Sequence, residues 1–141
     1  MSKLIEGPCI CGRLRRTARI VSAFYDEVLA PSGLTVTQYA LLARIGRTRT
    51  LSRTELAAQM GMERTTLTRN LAPLERDGFV ANVTGDDRRE KLLSLTESGR
   101  QQVEFTYPQW LEAQRRMVHH LGKRRWKQLH ALLEQSEGIL N

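Results

Sequence analysis

Long hydrophobic runs are missing from this chain of 141 residues. A helix that crosses a membrane needs about 20 consecutive apolar residues, and no run here approaches that length. Residues 1–30 are rich in arginine where a secretory signal would have its apolar core. These absences exclude a membrane span and a signal peptide, so we expect a cytoplasmic protein with no membrane partner.

Cysteine is almost absent, because the chain has only Cys9 and Cys11. Two cysteines do not make a disulfide framework, and side chains separated by one residue are poorly placed to pair with each other. We therefore expect both to be thiols. The chain also has neither a CxxC pair nor two spaced ligand pairs, so it predicts no metal site.

Catalytic motifs are absent as well. The sequence contains no nucleophile elbow, no phosphate-binding glycine loop and no HExxH segment. Its histidines come late, at His119, His120 and His130, and the paired Asp86 and Asp87 lie in a polar turn. We predict that the protein is not an enzyme and needs no cofactor.

Acidic residues are outnumbered, with 15 Asp and Glu against 22 Lys and Arg, a formal charge of +7 and a pI near 10.1. A basic balance fits a polyanionic partner such as DNA, RNA or an anionic membrane surface, and a solvated basic surface is the alternative. Length and composition otherwise fit one globular domain. Because the basic residues are spread along the chain, charge alone does not locate a binding surface.

Amphipathic helices account for the first part of the chain. Apolar residues at steps of three and four predict a helix over 13–29, which ends before Gly33. Thr35 and Gln38 have the spacing of a capping box, which opens a second helix running to about Ile45.

A helix-turn-helix follows. Ser52 and Glu55 form another capping box and open a short helix, after which Gly61 can supply a tight turn. The next helix is expected over about 64–77, with its leucines directed to the core.

A hairpin and two helices complete the chain. Two short runs, 79–84 and 91–95, flank the polar segment GDDRRE, which predicts a hairpin. Thr96 can cap a long helix to about residue 120, which Pro108 should kink, and a last helix follows Gly122. The predicted fold is mainly α with a small β-hairpin wing, a winged helix-turn-helix.

The second helix of the helix-turn-helix begins with side chains that suit DNA. Arginine can bind a guanine through two hydrogen bonds, and threonine reaches phosphates or a thymine methyl group. At the hairpin tip, Arg89 could enter the minor groove, with Asp87 bracing its guanidinium through a bidentate pair. A solvated polar face and an ordinary charged turn are the alternatives. The residues predicted to bind DNA are Ser52, Arg53, Arg64, Thr65, Thr66, Thr68, Arg69, Asp87, Arg88 and Arg89.

Three segments, 33–45, 55–80 and 86–100, together resemble the MarR family of transcription regulators. The last contains the Asp-x-Arg and Leu-Thr-x-x-Gly of that family's wing. The resemblance implies a homodimer that binds a pseudo-palindromic DNA operator and represses until a ligand or an oxidant releases it. Glu63 replaces the usual serine-like cap and Pro73 lies within the recognition helix, so contacts to individual bases stay open.

The terminal helices carry more apolar residues than a small monomer would bury, which also favours a dimer. We expect one domain over 1–141, with a dimerisation region at 1–34 and 97–141 and a DNA-binding lobe at about 35–96. The alternative for the terminal helices is an intramolecular bundle. For the whole protein it is a nonspecific nucleic-acid-binding protein, with weak sequence preference and a steep salt dependence.

Two ways of controlling DNA binding are consistent with the sequence. An oxidant could act on Cys9 or Cys11, because a helix start and neighbouring arginines favour the thiolate, and the resembled family includes peroxide sensors with a cysteine near the first helix. A small aromatic effector could instead bind between the dimer helices and the lobe. The aromatic side chains expected near that pocket are Phe24, Tyr39, Phe105 and Trp110. A metal-sensing set of both cysteines with His119, His120 or His130 is the remaining alternative.

Overall fold

The computed structural model describes residues 7–141, so the first six residues of the expected dimerisation region lie outside the described residues. The elements are α1 (Ile10–Leu29), a 3-10 turn (Ala30–Ser32), α2 (Val36–Arg47), β1 (Leu51–Ser52), α3 (Arg53–Met60), α4 (Arg64–Arg76), β2 (Val80–Thr84), β3 (Lys91–Leu95), α5 (Glu97–Leu121) and α6 (Lys123–Leu140). The prediction of a mainly helical chain with a small β wing is confirmed.

The wing has one strand more than the sequence predicted. β2 and β3 form the expected antiparallel hairpin, and the two residues of β1 pair with the other edge of β3, giving the order β1-β3-β2. Leu51 faces Leu93, and Leu93 also faces Asn82 across the sheet. A strand of two residues is too short to show alternation, so the pattern gave no signal for β1.

Both predicted capping boxes are present. In the first, Gln38 N–H donates to Thr35 Oγ1 at 3.2 Å and Thr35 N–H donates to Gln38 Oε1 at 3.0 Å. In the second, Glu55 N–H donates to Ser52 Oγ at 3.1 Å and Ser52 N–H donates to Glu55 Oε2 at 2.8 Å. These reciprocal bonds satisfy backbone donors that a helix start leaves open, and they fix where α2 and α3 begin.

One hydrophobic core joins the helix-turn-helix to the sheet and to α1 and α2. Its largest fully buried apolar side chains come from α1, α2, α3, α4 and β3, and are Leu29, Leu41, Leu42, Ile45, Leu56, Leu67, Leu71, Leu74 and Leu93. Burial of each leucine stabilises the fold by about 1.5–3 kcal/mol. α4 therefore has a fixed buried face, and its opposite face is held toward solvent.

Gly99 lets α5 approach the base of the wing. A Cβ at this position would lie 2.1 Å from the carbonyl oxygen of Phe79, closer than any side chain can come. The preceding cap adds two contacts, because Thr96 Oγ1 donates to the Gly78 carbonyl at 2.6 Å and accepts from Gly99 N–H at 3.0 Å. The wing is thus joined directly to the first turn of α5.

The terminal helices have large unburied faces. α6 has no buried residue, and residues 10–20 of α1 are all exposed. Pro73 and Pro108 both lie within helices that continue past them. In the part of the chain that the structure describes, no helix has the length and apolar character needed to cross a membrane.

Candidate nucleic-acid interface

The turn between α3 and α4 sets the angle of the second helix. Gly61 adopts a φ of 61°, in the left-handed region that a side chain disfavours, and its N–H donates to carbonyls of the last turn of α3. Met62 N–H donates to the Ala57 carbonyl at 2.9 Å. With Leu56 and Leu67 both fully buried, α4 is held against α3 and its N-terminal end projects from the lobe.

The N-terminal half of α4 presents the predicted DNA-binding side chains on one face. Arg64, Thr65, Thr68 and Arg69 are exposed and Thr66 is partly buried, whereas Leu67 faces the core. Among the described residues, neither Arg64 nor Arg69 forms a salt bridge, so both guanidinium groups are open to an anionic partner.

Two polar side chains on α4 bond to the helix itself. Thr68 Oγ1 donates to the Arg64 carbonyl at 3.0 Å, and Asn70 Nδ2 donates to the Thr66 carbonyl at 2.9 Å. Such bonds occupy the threonine proton and leave its oxygen able to accept. Glu63 is the N-cap of α4 and makes no side-chain capping bond, as the departure from the serine-like cap implied.

The tip of the wing exposes two arginines. Asp86 to Glu90 are all exposed, and a turn closed by Glu90 N–H donating to the Asp87 carbonyl at 2.8 Å carries Arg88 and Arg89 outward. The expected bidentate pair between Asp87 and the Arg89 guanidinium is wrong. The Asp87 carboxylate instead accepts from the Arg89 backbone N–H at 3.1 Å, because an aspartate two residues before an amide readily closes a local turn.

Ser52 and Arg53 are engaged within the lobe. The Ser52 hydroxyl caps α3, and Arg53 Nη2 lies 2.5 Å from Glu75 Oε1 and 3.3 Å from Asn82 Oδ1. Glu75 and Asn82 were not among the predicted site residues. Their partner is 22 and 29 residues away in sequence, and no local spacing could indicate the contact.

A cavity of about 470 Å³ lies between α2, the end of β3 and α5. Tyr39, Tyr107 and Trp110 contribute aromatic rings to its wall, with the Trp110 ring centre 6.1 Å from that of Tyr39 and 6.0 Å from that of Tyr107. Phe24 and Phe105 do not line it. Phe24 contacts Tyr25 and His120, which lies near the C-terminal end of α5, and Phe105 is 58% exposed on the same helix.

The same cavity has a basic side. Arg44, Arg47 and Arg100 line it, and Glu104 is the one acidic side chain that residues 7–141 contribute to its wall. Burial raises the pKa of the Tyr39 hydroxyl, and Tyr107 raises it further while Arg47 opposes the change. Tyr39 therefore stays protonated at neutral pH and is able to donate a hydrogen bond. An anionic aromatic molecule matches this combination of rings and guanidinium groups.

The cysteines lie at the start of α1. Cys9 is its N-cap residue and Cys11 lies in its first turn, and both are exposed and not disulfide-bonded. Of the histidines, His119 and His120 end α5, while His130 packs on Trp126 in α6, with ring centres 4.3 Å apart. Within residues 7–141, no three His, Cys, Asp or Glu side chains gather in a group that could hold a metal ion.

The known proteins that this chain resembles are transcription regulators. The model of the MarR family matches residues 34–91. The transcriptional regulator MosR of M. tuberculosis, solved in complex with DNA, is 40% identical, has a TM-score of 0.78, and is matched over 94% of this chain and 98% of that chain. A solved structure of a probable transcriptional regulator from Pseudomonas aeruginosa is 27% identical, with a TM-score of 0.81 over 89% of this chain and 95% of that chain.

A sequence relative covers less of the chain. The HTH-type transcriptional regulator YwoH of Bacillus subtilis is 29% identical over 92 residues, which are 65% of this chain and 67% of that protein. The two solved structures match more of this chain than the winged lobe alone, since they cover 94% and 89% of it.

Proposed function

Because this chain belongs to the MarR family of transcription regulators, we propose that it is a homodimeric repressor that binds a pseudo-palindromic DNA operator. The observation that carries the proposal is the exposed face of α4 and the arginine-bearing wing tip, which project from one rigidly packed lobe. A helix-turn-helix uses such a face in the major groove, and an exposed arginine on a wing suits the narrow minor groove beside it.

The terminal helices would join two copies. Large apolar side chains that the single chain leaves exposed concentrate on α1, α5 and α6, and they include Ile10, Leu14, Ile20, Phe105, Leu129, Leu132, Ile139 and Leu140. Burial of these exposed apolar side chains against a second copy would remove them from water and stabilise a dimer. A twofold dimer would place two α4 helices on half-sites about one helical turn of DNA apart.

A footprint on DNA that flanks the protein's own gene tests this proposal. We expect protection of one pseudo-palindromic segment, and we expect random DNA to bind at least about 1,000-fold more weakly at the same salt concentration. Equal affinity for both DNAs, combined with a steep salt dependence, would instead establish the nonspecific nucleic-acid-binding alternative.

For release, we propose an aromatic acid as the effector. The cavity between α2 and α5 would stack the ring on Tyr39 and Trp110, and Arg44 or Arg47 would bind the carboxylate. α2 belongs to the lobe, and α5 is one of the terminal helices. A ligand between them would therefore bias the position of the lobe relative to the terminal helices. An effector acts only if it binds the DNA-free arrangement more tightly.

A panel of benzoic, cinnamic and hydroxybenzoic acids tests the effector proposal, with the matching amides as neutral controls. We expect some acids to raise the melting temperature and weaken operator binding, and the amides to do neither. Trp110→Leu should abolish the effect while DNA binding without effector persists. If no acid alters either quantity, the cavity is not an effector site.

Thiol oxidation is the second mode of release that we propose. The observation in its favour is that Cys9 and Cys11 are both exposed at the start of the helix that would enter the dimer region. Treatment with peroxide should weaken operator binding of the native chain and leave a Cys9→Ser, Cys11→Ser variant unaffected. Equal operator affinity before and after complete alkylation would exclude this mode.

A further inference from the structure

One guanidinium group touches both elements that the proposed function directs at DNA. Arg53 Nη2 is 2.5 Å from the carboxylate of Glu75, in the last turn of α4, and 3.3 Å from the side-chain oxygen of Asn82, in β2. Arg53 itself opens α3, directly after the strand that pairs with β3. The first helix of the motif, the recognition helix and the wing thus meet at a single side chain.

The surroundings of Arg53 favour an internal role over a DNA contact. The side chain is only 23% exposed and that of Glu75 only 29%, so the pair is partly shielded from solvent. A carboxylate at this distance already neutralises the guanidinium, which leaves it little attraction for phosphate. Arg64, Arg69 and Arg89 differ in this respect, because each is exposed and lacks a salt bridge within residues 7–141.

The planar group of arginine suits such a junction. It presents five N–H donors in fixed directions, and two acceptors on different elements can therefore share it. Asn82 faces Leu93 in the sheet, and Leu93 also faces Leu51, two residues before Arg53. The backbone of β1 and the side chain of Arg53 consequently hold the hairpin at two separate points.

We propose that Arg53 is a positioning residue that fixes the wing relative to the recognition helix, and that it does so through Glu75 and Asn82. The inference rests on the proposed operator binding. A specific complex needs α4 and the wing in their two grooves at the same time, whereas binding to random DNA needs only charge. Loss of the junction should therefore reduce sequence discrimination more than overall affinity.

The test compares affinity for the footprinted operator with affinity for random duplex DNA over a range of salt concentrations. For Arg53→Gln we expect the ratio of the two affinities to fall about tenfold, in keeping with loss of a charge-assisted hydrogen bond. The slope of log affinity against log salt should stay unchanged, because no phosphate contact is lost. A phosphate-binding arginine would lower that slope by about 0.9 when removed.

The variant Glu75→Gln also distinguishes a positioning role of Arg53 from a direct DNA contact. If Arg53 positions the wing, the ratio of operator affinity to random-DNA affinity also falls about tenfold in this variant, although Arg53 is still present. If Arg53 binds DNA directly, removal of the neighbouring acid raises affinity for both DNAs equally and leaves the ratio unchanged. Arg76→Gln is the matched control, because Arg76 lies in the same turn of α4 with 74% of its side chain exposed and should not change the ratio.

The charge-exchanged double variant, Arg53→Glu with Glu75→Arg, should recover most of the ratio that Arg53→Glu alone loses. If Arg53→Gln does not fold, Arg53→Lys keeps the charge but not the fixed N–H directions of the guanidinium, and we expect a partial loss in the ratio. An unchanged ratio in Arg53→Lys and Glu75→Gln, both folded by circular dichroism, overturns the inference. A native protein without operator preference would overturn the proposed function instead.

Discussion

Gly99 carries only a hydrogen where every other residue would place a carbon against the wing. Because the obstacle is the backbone carbonyl of Phe79, whose oxygen lies 2.1 Å from the place that a Cβ would take, no side-chain rotation can relieve it. We expect Gly99→Ala to reduce the free energy of unfolding by about 1–3 kcal/mol through overpacking. Urea denaturation of both proteins measures the difference.

Gly138 provides the control for that measurement. It lies in α6, and a Cβ there would meet no atom within 4 Å. Gly138→Ala should leave stability unchanged or increase it by up to about 1 kcal/mol, because alanine favours the helix. Equal stability of Gly99→Ala and the native protein would show that the wing moves freely away from α5.

Arg89 is the residue that tests the role of the wing tip. Its guanidinium is exposed, and only its backbone is bonded to Asp87. We expect Arg89→Ala to weaken operator binding by about 1–3 kcal/mol and to lower the salt slope by about 0.9. Fluorescence anisotropy measures both quantities. The control is Arg124→Ala, which removes the same charge from an exposed position on α6 and should leave affinity and salt slope nearly unchanged. Native-like operator binding by Arg89→Ala would exclude the wing contact.

At the scale of the element, local chemistry predicted most of the fold. The capping boxes at Thr35 and Ser52 and the turn at Gly61 involve residues no more than four apart, so the sequence contains the complete interaction. Contacts between distant segments were not predictable in this way. Neither β1 nor the partners of Arg53 leave a periodic pattern, and the lining of the cavity depends on how α2 packs against α5.

α4 begins less stably than α2 or α3, since its N-cap Glu63 makes no capping bond. We expect Glu63→Ser to stabilise the protein by about 0.5–1 kcal/mol, because a serine hydroxyl can accept from the free N–H groups of the first turn. Thermal unfolding measures the gain. Ser52→Ala, which removes a formed cap, should shift stability by about 1 kcal/mol in the opposite direction.

At the scale of the whole molecule, the unburied faces of the terminal helices make the proposed dimer testable. Leu129 and Leu132 on α6 are 42% and 61% exposed in the single chain. Replacing both by glutamine should weaken self-association at least about tenfold if a partner covers them. Sedimentation at several concentrations measures this, with Gln128→Ala as the control on the same helix. An unchanged dissociation constant would place the interface elsewhere.

The length of α5, whose first turn contains Gly99, also affects how movement is transmitted to the wing. α5 has 25 residues and packs against α1 and α6 toward its other end, so it is a lever about 37 Å long. A tilt of about five degrees at the end that packs against α6 would displace the end at the wing by about 3 Å over that length. Because the first turn of α5 abuts the wing without an intervening side chain, little of this displacement is absorbed at the joint. The two wing tips of a dimer would then change their separation whenever the terminal helices shift.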